Sequence, residues 1–141
     1  MEVIINGNAN GRNKAFLEEF VAKVGTSLMG KRLADRCLVE ITFVKDLKAN
    51  FGHEGNVIWE DDDYRPREFS MELDPDLNDR SLLRAIVHEM VHVKQYAKDE
   101  LRQLHTKPYY RFKGKYYPWG MAYADRPWEK EAYFIEENYY G

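Results

Sequence analysis

Residues 77–98 (LNDRSLLRAIVHEMVHVKQYAK) restrict the fold of this chain more than any other segment. Apolar side chains cover most of the circumference of a helix drawn through them, which predicts that the helix is buried. Asn78 is a favourable N-cap, and Asp79 and Lys94 complement the two ends of the helix dipole. The fold must therefore place other elements around this helix on nearly every side.

The same helix carries His88-Glu89-Met90-Val91-His92, which is the pattern H-E-x-x-H. Residues four apart lie on one helix face, so His88 and His92 can direct two ring nitrogens at one metal ion. Glu89 lies about 100° further round the helix, where a carboxylate can take a proton from water beside the ion. Zinc lowers the pKa of bound water to about 7, which suits a carboxylate base. We therefore expect Zn²⁺ bound by His88 and His92, with Glu89 as the catalytic base.

This interpretation competes with chance, because a five-residue pattern with two free positions recurs in unrelated sequences. The context favours the metal, since a buried helix with two histidines and a glutamate needs polar partners for them. Ser81 and Ala85 on the same side are small and leave room for a ligand.

Composition narrows the class of protein. The chain has 141 residues, of which 44% are hydrophobic and 32% charged, which predicts a single folded domain over 1–141. The net charge of −3 gives no overall basic field for nucleic acid. Cys37 is the one cysteine, which fits a reducing compartment, and no secretory signal or membrane-spanning stretch is evident. We expect a cytoplasmic protein without membrane association.

Periodicity and turn residues predict the remaining elements. In chain order they are a strand at 3–5, a helix at 13–29, strands at 37–44, 56–59 and 67–73, a hairpin at 105–118 and a helix at 127–139. Residues 46–56 are predicted as a loop and the acidic run 60–63 as a solvated turn. The apolar face of the first helix is assigned to residues at steps of four, which are Phe16, Phe20, Val24 and Leu28.

These elements predict an α+β fold in which a small mixed sheet packs on the H-E-x-x-H helix and on a C-terminal helix that carries glutamates. The strand at 67–73 comes directly before the H-E-x-x-H helix. We expect it to be the sheet edge with which an extended substrate pairs.

Two histidines leave a catalytic zinc site incomplete, since such sites generally have three protein ligands and one water. The best candidates lie in residues 126–133 (RPWEKEAY), where a second helix is predicted to begin at Pro127. A carboxylate on the first turn of that helix can reach a metal held by the first helix. Glu129 and Glu131 both remain candidates on this argument.

The chain resembles the gluzincin-type metallopeptidases, in which H-E-x-x-H is followed downstream by a helix bearing E-x-x-A. Here that match is Glu129-Lys130-Glu131-Ala132, and it implies Glu129 as the third ligand with Glu131 as the alternative. The size and the Pro-Trp-Glu-x-Glu-Ala segment also resemble small metallopeptidase-like proteins of phages, which implies a location in the host cytoplasm. The resemblance implies a zincin-like fold and hydrolysis of a peptide or protein substrate.

The chain departs from this family at Tyr133. Related enzymes often have aspartate four residues after the ligand glutamate, where it orients a ligand histidine, and this chain has tyrosine there. The Tyr133 hydroxyl is a candidate for that orienting role or for donating to an oxyanion.

A second assignment uses His105, which lies 105 − 92 = 13 positions after His92. That spacing is similar to the third histidine of SprT-like proteases, which act on proteins crosslinked to DNA. Residues 107–117 mix aromatic and basic side chains that can stack on bases and neutralise phosphates. Against this assignment, Thr106-Lys107 stands where those proteases have a small residue.

A third hypothesis is a non-catalytic module that binds nucleic acid or holds zinc structurally. A structural zinc site is closed by four protein ligands, and Glu89 would then have no function.

Overall fold

Two β-sheets and the helices around them make up the protein, described by a computed structural model over residues 1–48, 55–61 and 65–139. The strands are β1 Glu2–Asn6, β2 Leu38–Phe43, β3 Gly55–Trp59, β4 Glu68–Leu73, β5 Leu101–Gln103, β6 Tyr109–Phe112 and β7 Lys115–Pro118. The helices are α1 Lys14–Met29, α2 Lys31–Ala34, α3 Asp79–Ala97 and α4 Pro127–Asn138, with a 3-10 helix at Tyr123–Asp125. The predicted α+β class is confirmed.

The larger sheet is mixed, with strand order β1-β2-β4-β3. β1, β2 and β4 are parallel, and β3 runs antiparallel to β4. The expectation that the strand at 67–73 forms the edge is therefore wrong, because β4 is hydrogen-bonded on both sides. The edge next to it is β3, a placement that depends on strand order in space and not on order along the chain.

The main core lies between this sheet and helices α1 and α3. Ile41 of β2 is paired with Met71 of β4, and both are 1% exposed. Val21 of α1 and Ile86 of α3 belong to the same cluster of buried side chains. The two long helices are thus positioned by apolar burial, which is the largest favourable contribution to folding.

The buried face of α1 matches the predicted one in part, since Val24 is buried and Phe20 and Leu28 pack half-buried against the core. Its buried residues include Leu17, Val21 and Val24, whereas Phe16 is 55% exposed. Steps of four drift by about 40° per step on a helix with 3.6 residues per turn, so they leave the core-facing side. Spacings that alternate between four and three stay on one face, as they do here.

Helix α3 begins as predicted. The side chain of Asn78 accepts a hydrogen bond from the backbone N–H of Ser81 at 2.8 Å. The predicted burial is also confirmed, since both histidines and the glutamate of the H-E-x-x-H segment are buried together with most of the helix.

The smaller sheet is antiparallel, in the order β5-β6-β7. The predicted hairpin and its turn are confirmed, and Lys113 and Gly114 both have positive φ, 49° and 82°. That combination is typical of the two-residue turns that match the twist of a hairpin. β5 was not predicted, because its three residues form a strand only by pairing with β6. Leu101 and Phe112 of this sheet pack on Trp128 at the start of α4.

Some predictions fall outside the described residues, namely most of the loop at 46–56 and the end of the acidic run at 60–63. Within the described parts of the chain, no helix has the length and apolar character that crossing a membrane requires.

Candidate metal centre

Helices α3 and α4 bring together the three side chains proposed as ligands. His88 Nε2 lies 3.1 Å from Glu129 Oε1, and His92 Nε2 lies 3.0 Å from the same oxygen. All three residues are buried, at 7% to 8% exposure. The two histidines share one face of α3 because they are four residues apart. Glu129 reaches them from the first turn of α4.

The other ring nitrogens show which tautomer each histidine adopts. His88 Nδ1 lies 2.9 Å from Glu136 Oε1, and His92 Nδ1 lies 2.8 Å from Gln95 Oε1. The carboxylate oxygen of Glu136 and the amide oxygen of Gln95 are hydrogen-bond acceptors. The amide nitrogen of Gln95 donates to Trp128 O, which fixes the orientation of that amide. The Nδ1 atoms are therefore the donors, and both Nε2 atoms point a lone pair toward Glu129 when the rings are neutral.

Two imidazole lone pairs that face one carboxylate oxygen need a positive charge between them. Without a metal, protons fill this role, and the pKa values of His88 and His92 lie above their ordinary value. Burial opposes protonation of each ring, but the hydrogen bond to Glu129 and nearby carboxylate charge outweigh it. Burial also acts to raise the pKa of Glu129, but the hydrogen bonds with His88 and His92 hold it well below its usual range.

The same geometry fits a metal ion. The three ligand atoms all lie within 4.8 Å of one another. Two ligands of a tetrahedral zinc ion, each about 2.0 Å from it, are roughly 3.3 Å apart, which is close to the separations found here. His88, His92 and Glu129 thus form a buried group that could hold a metal ion.

The group is open on one side. A cleft of about 290 Å³ borders it and is lined by His92, Glu129 and Glu89. Glu89 is 8% exposed and lies beside the three ligand atoms instead of among them, as its position on α3 predicts. A carboxylate there can exchange a proton with a molecule in the cleft.

Two tyrosines surround Glu129 and His88. The Tyr123 hydroxyl donates to Glu129 Oε1 at 2.8 Å. Burial and the charge of Glu129 raise the pKa of Tyr123, so its hydroxyl stays protonated at neutral pH. The ring of Tyr133 packs edge-on against His88, with centroids 4.6 Å apart.

The carboxylate that orients His88 comes from Glu136, seven residues after Glu129 and on the same side of α4. Arg84 in turn contacts Glu136 at 3.3 Å. Tyr133 packs on the ring that Glu136 orients. A carboxylate on the ligand face of α4 was a usable sequence signal, but the family pattern pointed to the fourth position after Glu129, which is Tyr133.

Gln95 and Tyr123 were also missed. Gln95 lies one helical turn after His92 and is fully buried, which is unusual for an amide side chain and requires hydrogen-bonding partners. Tyr123 lies in a 3-10 helix whose position depends on the tertiary fold, so no periodic pattern indicated it.

The alternative third ligands lie elsewhere. Glu131 accepts hydrogen bonds from Lys94, Lys113 and Gln95. It therefore supports His92 indirectly, through Gln95. His105 follows β5 in an exposed segment and does not belong to the buried group of His88, His92 and Glu129.

Several basic and aromatic side chains of the hairpin at 107–117 make contacts within the protein. Three of its rings pack on Trp128, with centroids 4.9 to 5.9 Å away: those of Tyr110, Phe112 and Tyr117. Arg111 pairs with Asp99, and Lys113 pairs with Glu131. These contacts explain part of the aromatic-basic composition without nucleic acid, whereas Tyr109, Tyr116, Lys107 and Lys115 are exposed.

The fold and the site therefore define an α+β domain with a buried His-His-Glu group at a cleft. No family model, curated protein or solved structure matches this chain.

Proposed function

We propose that the protein is a zinc-dependent metallopeptidase of the gluzincin type. The convergence of His88 Nε2, His92 Nε2 and Glu129 Oε1 beside an open cleft carries this proposal. Two imidazoles and one carboxylate are a ligand set that suits zinc, and three protein ligands leave a position for water or substrate.

Zinc, when bound, supplies Lewis acidity that polarises the scissile carbonyl and acidifies a water molecule. Glu89 takes the proton of the attacking water and passes it to the leaving amine, so one carboxylate acts first as base and then as acid. Glu136 and Gln95 hold the two imidazole rings in the ligating tautomer. Tyr123 lies at the wall of the cleft, where its hydroxyl donates to Glu129 Oε1 and helps to hold that carboxylate in place.

Strand β3 is the proposed docking edge for the substrate. Gly55, Asn56 and Val57 line the same cleft as Glu89, and β3 is paired with β4 on one side. An extended peptide can add to the other side through backbone hydrogen bonds, which places its backbone along the cleft. This mode of binding favours unfolded or flexible segments as substrates.

The two rival functions receive less support. A structural zinc site needs a fourth protein ligand, and among the described residues the group contains three candidates next to a cleft. The SprT-like alternative needs His105 at the metal, and His105 does not belong to the buried group of His88, His92 and Glu129.

A cytoplasmic location, in the host if a phage encodes the protein, belongs to the same proposal. Its support is Cys37, which is free, buried and the single cysteine of the chain.

Cleavage of a peptide mixture derived from a whole proteome, followed by mass spectrometry, tests the proposed function. We expect the zinc-loaded protein to cleave, a chelator to stop cleavage and added zinc to restore it. Glu89→Gln should retain about one zinc per chain and the fold but lose at least ~100-fold in rate, since general base catalysis is generally worth about that much or more. Zinc-loaded wild-type protein that cleaves nothing, or a Glu89→Gln variant that cleaves at the wild-type rate, would overturn the proposal.

A further inference from the structure

Among the residues that the structure describes, one arginine and no lysine lines the cleft beside the metal group. Arg126 lines it together with a wall of aromatic side chains, which are Tyr96, Tyr110, Tyr123 and Trp128. Arg126 directly precedes α4, so it lies one helical turn before Glu129. Any molecule that occupies the cleft next to Glu89 therefore lies close to a guanidinium group.

Aromatic rings hold this guanidinium in place. Its central carbon lies 5.3 Å from the ring centre of Tyr110, 5.7 Å from that of Tyr123 and 5.9 Å from that of Trp128. Contacts of a cation with aromatic faces are attractive, but they leave the N–H donors of the guanidinium unused. The side chain is thus oriented without being neutralised.

Arg126 differs in this respect from the other arginines near the site. Arg102 and Arg111 both pair with Asp99, and Arg84 pairs with Glu136. For Arg126, no carboxylate of the described residues lies within ion-pair distance, and its Nε is buried without a hydrogen-bond partner. Buried donors are nearly always satisfied in proteins, so an unsatisfied one in a cleft indicates a missing acceptor.

The missing acceptor is an anion of planar shape. A guanidinium offers two parallel N–H donors that match the two oxygens of a carboxylate. The aromatic wall can pack against the methylene groups of a short acidic side chain. Glu129 is not this acceptor, because Arg126 Nε has no hydrogen-bond partner and no ion pair joins the two described side chains.

We propose that Arg126 is a specificity-determining residue that binds a carboxylate of the substrate beside the bond to be cleaved. The carboxylate belongs either to an acidic side chain or to the free C-terminus of the peptide. This inference rests on the proposed peptidase function and names its substrate class.

Peptide binding to the Glu89→Gln variant tests this proposal without turnover. The variant is purified without a chelator, so that it keeps its metal. Four probes are compared by calorimetry: acetylated, amidated pentapeptides of alanine with a central glutamate or glutamine, and acetylated pentaalanine with a C-terminal carboxylate or amide. We expect one carboxylate peptide to bind at least about tenfold more tightly than its neutral counterpart, as for a charge-assisted hydrogen bond. Which of the two pairs differs identifies the source of the carboxylate.

Substitutions at position 126 complete the test. Arg126→Gln should abolish the preference, and Arg126→Lys, which keeps the charge, should retain part of it. Lys130→Gln is the matched control, since it removes one positive charge from an exposed position on α4 that does not line the cleft. Metal content and thermal unfolding of each variant show whether it is folded.

Equal binding of charged and neutral peptides, absence of binding by all four probes, or a preference that survives Arg126→Gln would overturn the proposal. The assay measures binding to a variant that lacks the base. A failure of the wild-type protein to hydrolyse peptides would therefore count against the proposed function alone and leave the binding result interpretable.

Discussion

Glu129 is the residue on which the candidate site depends most. Its Oε1 contacts both histidine Nε2 atoms and the Tyr123 hydroxyl, at 2.8 to 3.1 Å. A carboxylate in that position is the third ligand if zinc binds, whereas Glu131 and His105 are not in contact with the histidines.

Substitution of the three candidate ligands separates these assignments. We expect Glu129→Ala to weaken zinc binding by well over 100-fold, because loss of a ligand exceeds the 10- to 100-fold that loss of a supporting hydrogen bond costs. Glu131→Ala and His105→Ala should retain zinc. Dissociation constants measured by competition with a chromogenic chelator check this prediction. If His105→Ala empties the site and Glu129→Ala does not, the SprT-like assignment is correct, and salt-dependent DNA binding by residues 107–117 becomes the next experiment.

Glu136 is predicted to act through His88. Glu136→Ala removes the acceptor of the Nδ1 proton, which lies 2.9 Å away, and frees the ring to rotate or change tautomer. We expect zinc affinity to fall about 10- to 100-fold with little change in the fold. Glu137→Ala is the control, since Glu137 is an exposed neighbour on α4. Equal affinities of the two variants would show that Glu136 has no orienting role.

At the scale of elements, the site is a junction of β3, α3 and α4. The position of the two histidines on α3 followed from their spacing, and Glu129, the residue matched to E-x-x-A, contacts both of them. The order of strands did not follow, since residues 67–73 alternate in the same way whether they form an edge or an inner strand. The order of elements along the chain predicts that β4 lies next to α3. It does not predict the pairing of β3 with β4, which is a tertiary contact.

The close approach of β3 to its neighbours gives a test at this scale. A Cβ at Gly55 would lie 2.9 Å from Leu73 Cδ2, 3.0 Å from the backbone oxygen of Glu72 and 3.4 Å from Glu89 Cγ. We expect Gly55→Ala to lower the free energy of unfolding by about 1–3 kcal/mol, the usual cost of overpacking, and to slow cleavage by displacing Glu89. Gly120→Ala, where a Cβ meets nothing within 4 Å, is the control in urea unfolding experiments. Equal stability of both variants would refute the close packing.

At the scale of the whole molecule, the main core and the metal group are separate groups of side chains. That core lies between the larger sheet and helices α1 and α3, and the metal group lies where α3 meets α4. The class of fold was predictable because apolar periodicity determines which elements exist and which faces they bury. The smaller sheet and the residues that orient the histidines depend on contacts between distant parts of the chain, which periodicity does not report.

This separation predicts how the protein responds to metal removal. Zinc at a free concentration of 100 times its dissociation constant should stabilise the fold by about 2.7 kcal/mol, which raises Tm by roughly 10 °C for a domain of this size. The metal-free protein should still unfold cooperatively, because its core is intact. Thermal unfolding followed by circular dichroism, with and without chelator, measures both effects. Complete unfolding on metal removal would instead support a structural zinc site.

The most direct test of the metal centre is a crystal structure of the zinc-loaded protein, with diffraction recorded on both sides of the zinc absorption edge. We predict one anomalous peak about 2.0–2.2 Å from His88 Nε2, His92 Nε2 and a carboxylate oxygen of Glu129, with its remaining coordination position facing the cleft and Glu89. A peak at another place, no peak at this group, or a fourth protein side chain that closes the coordination sphere would contradict the account.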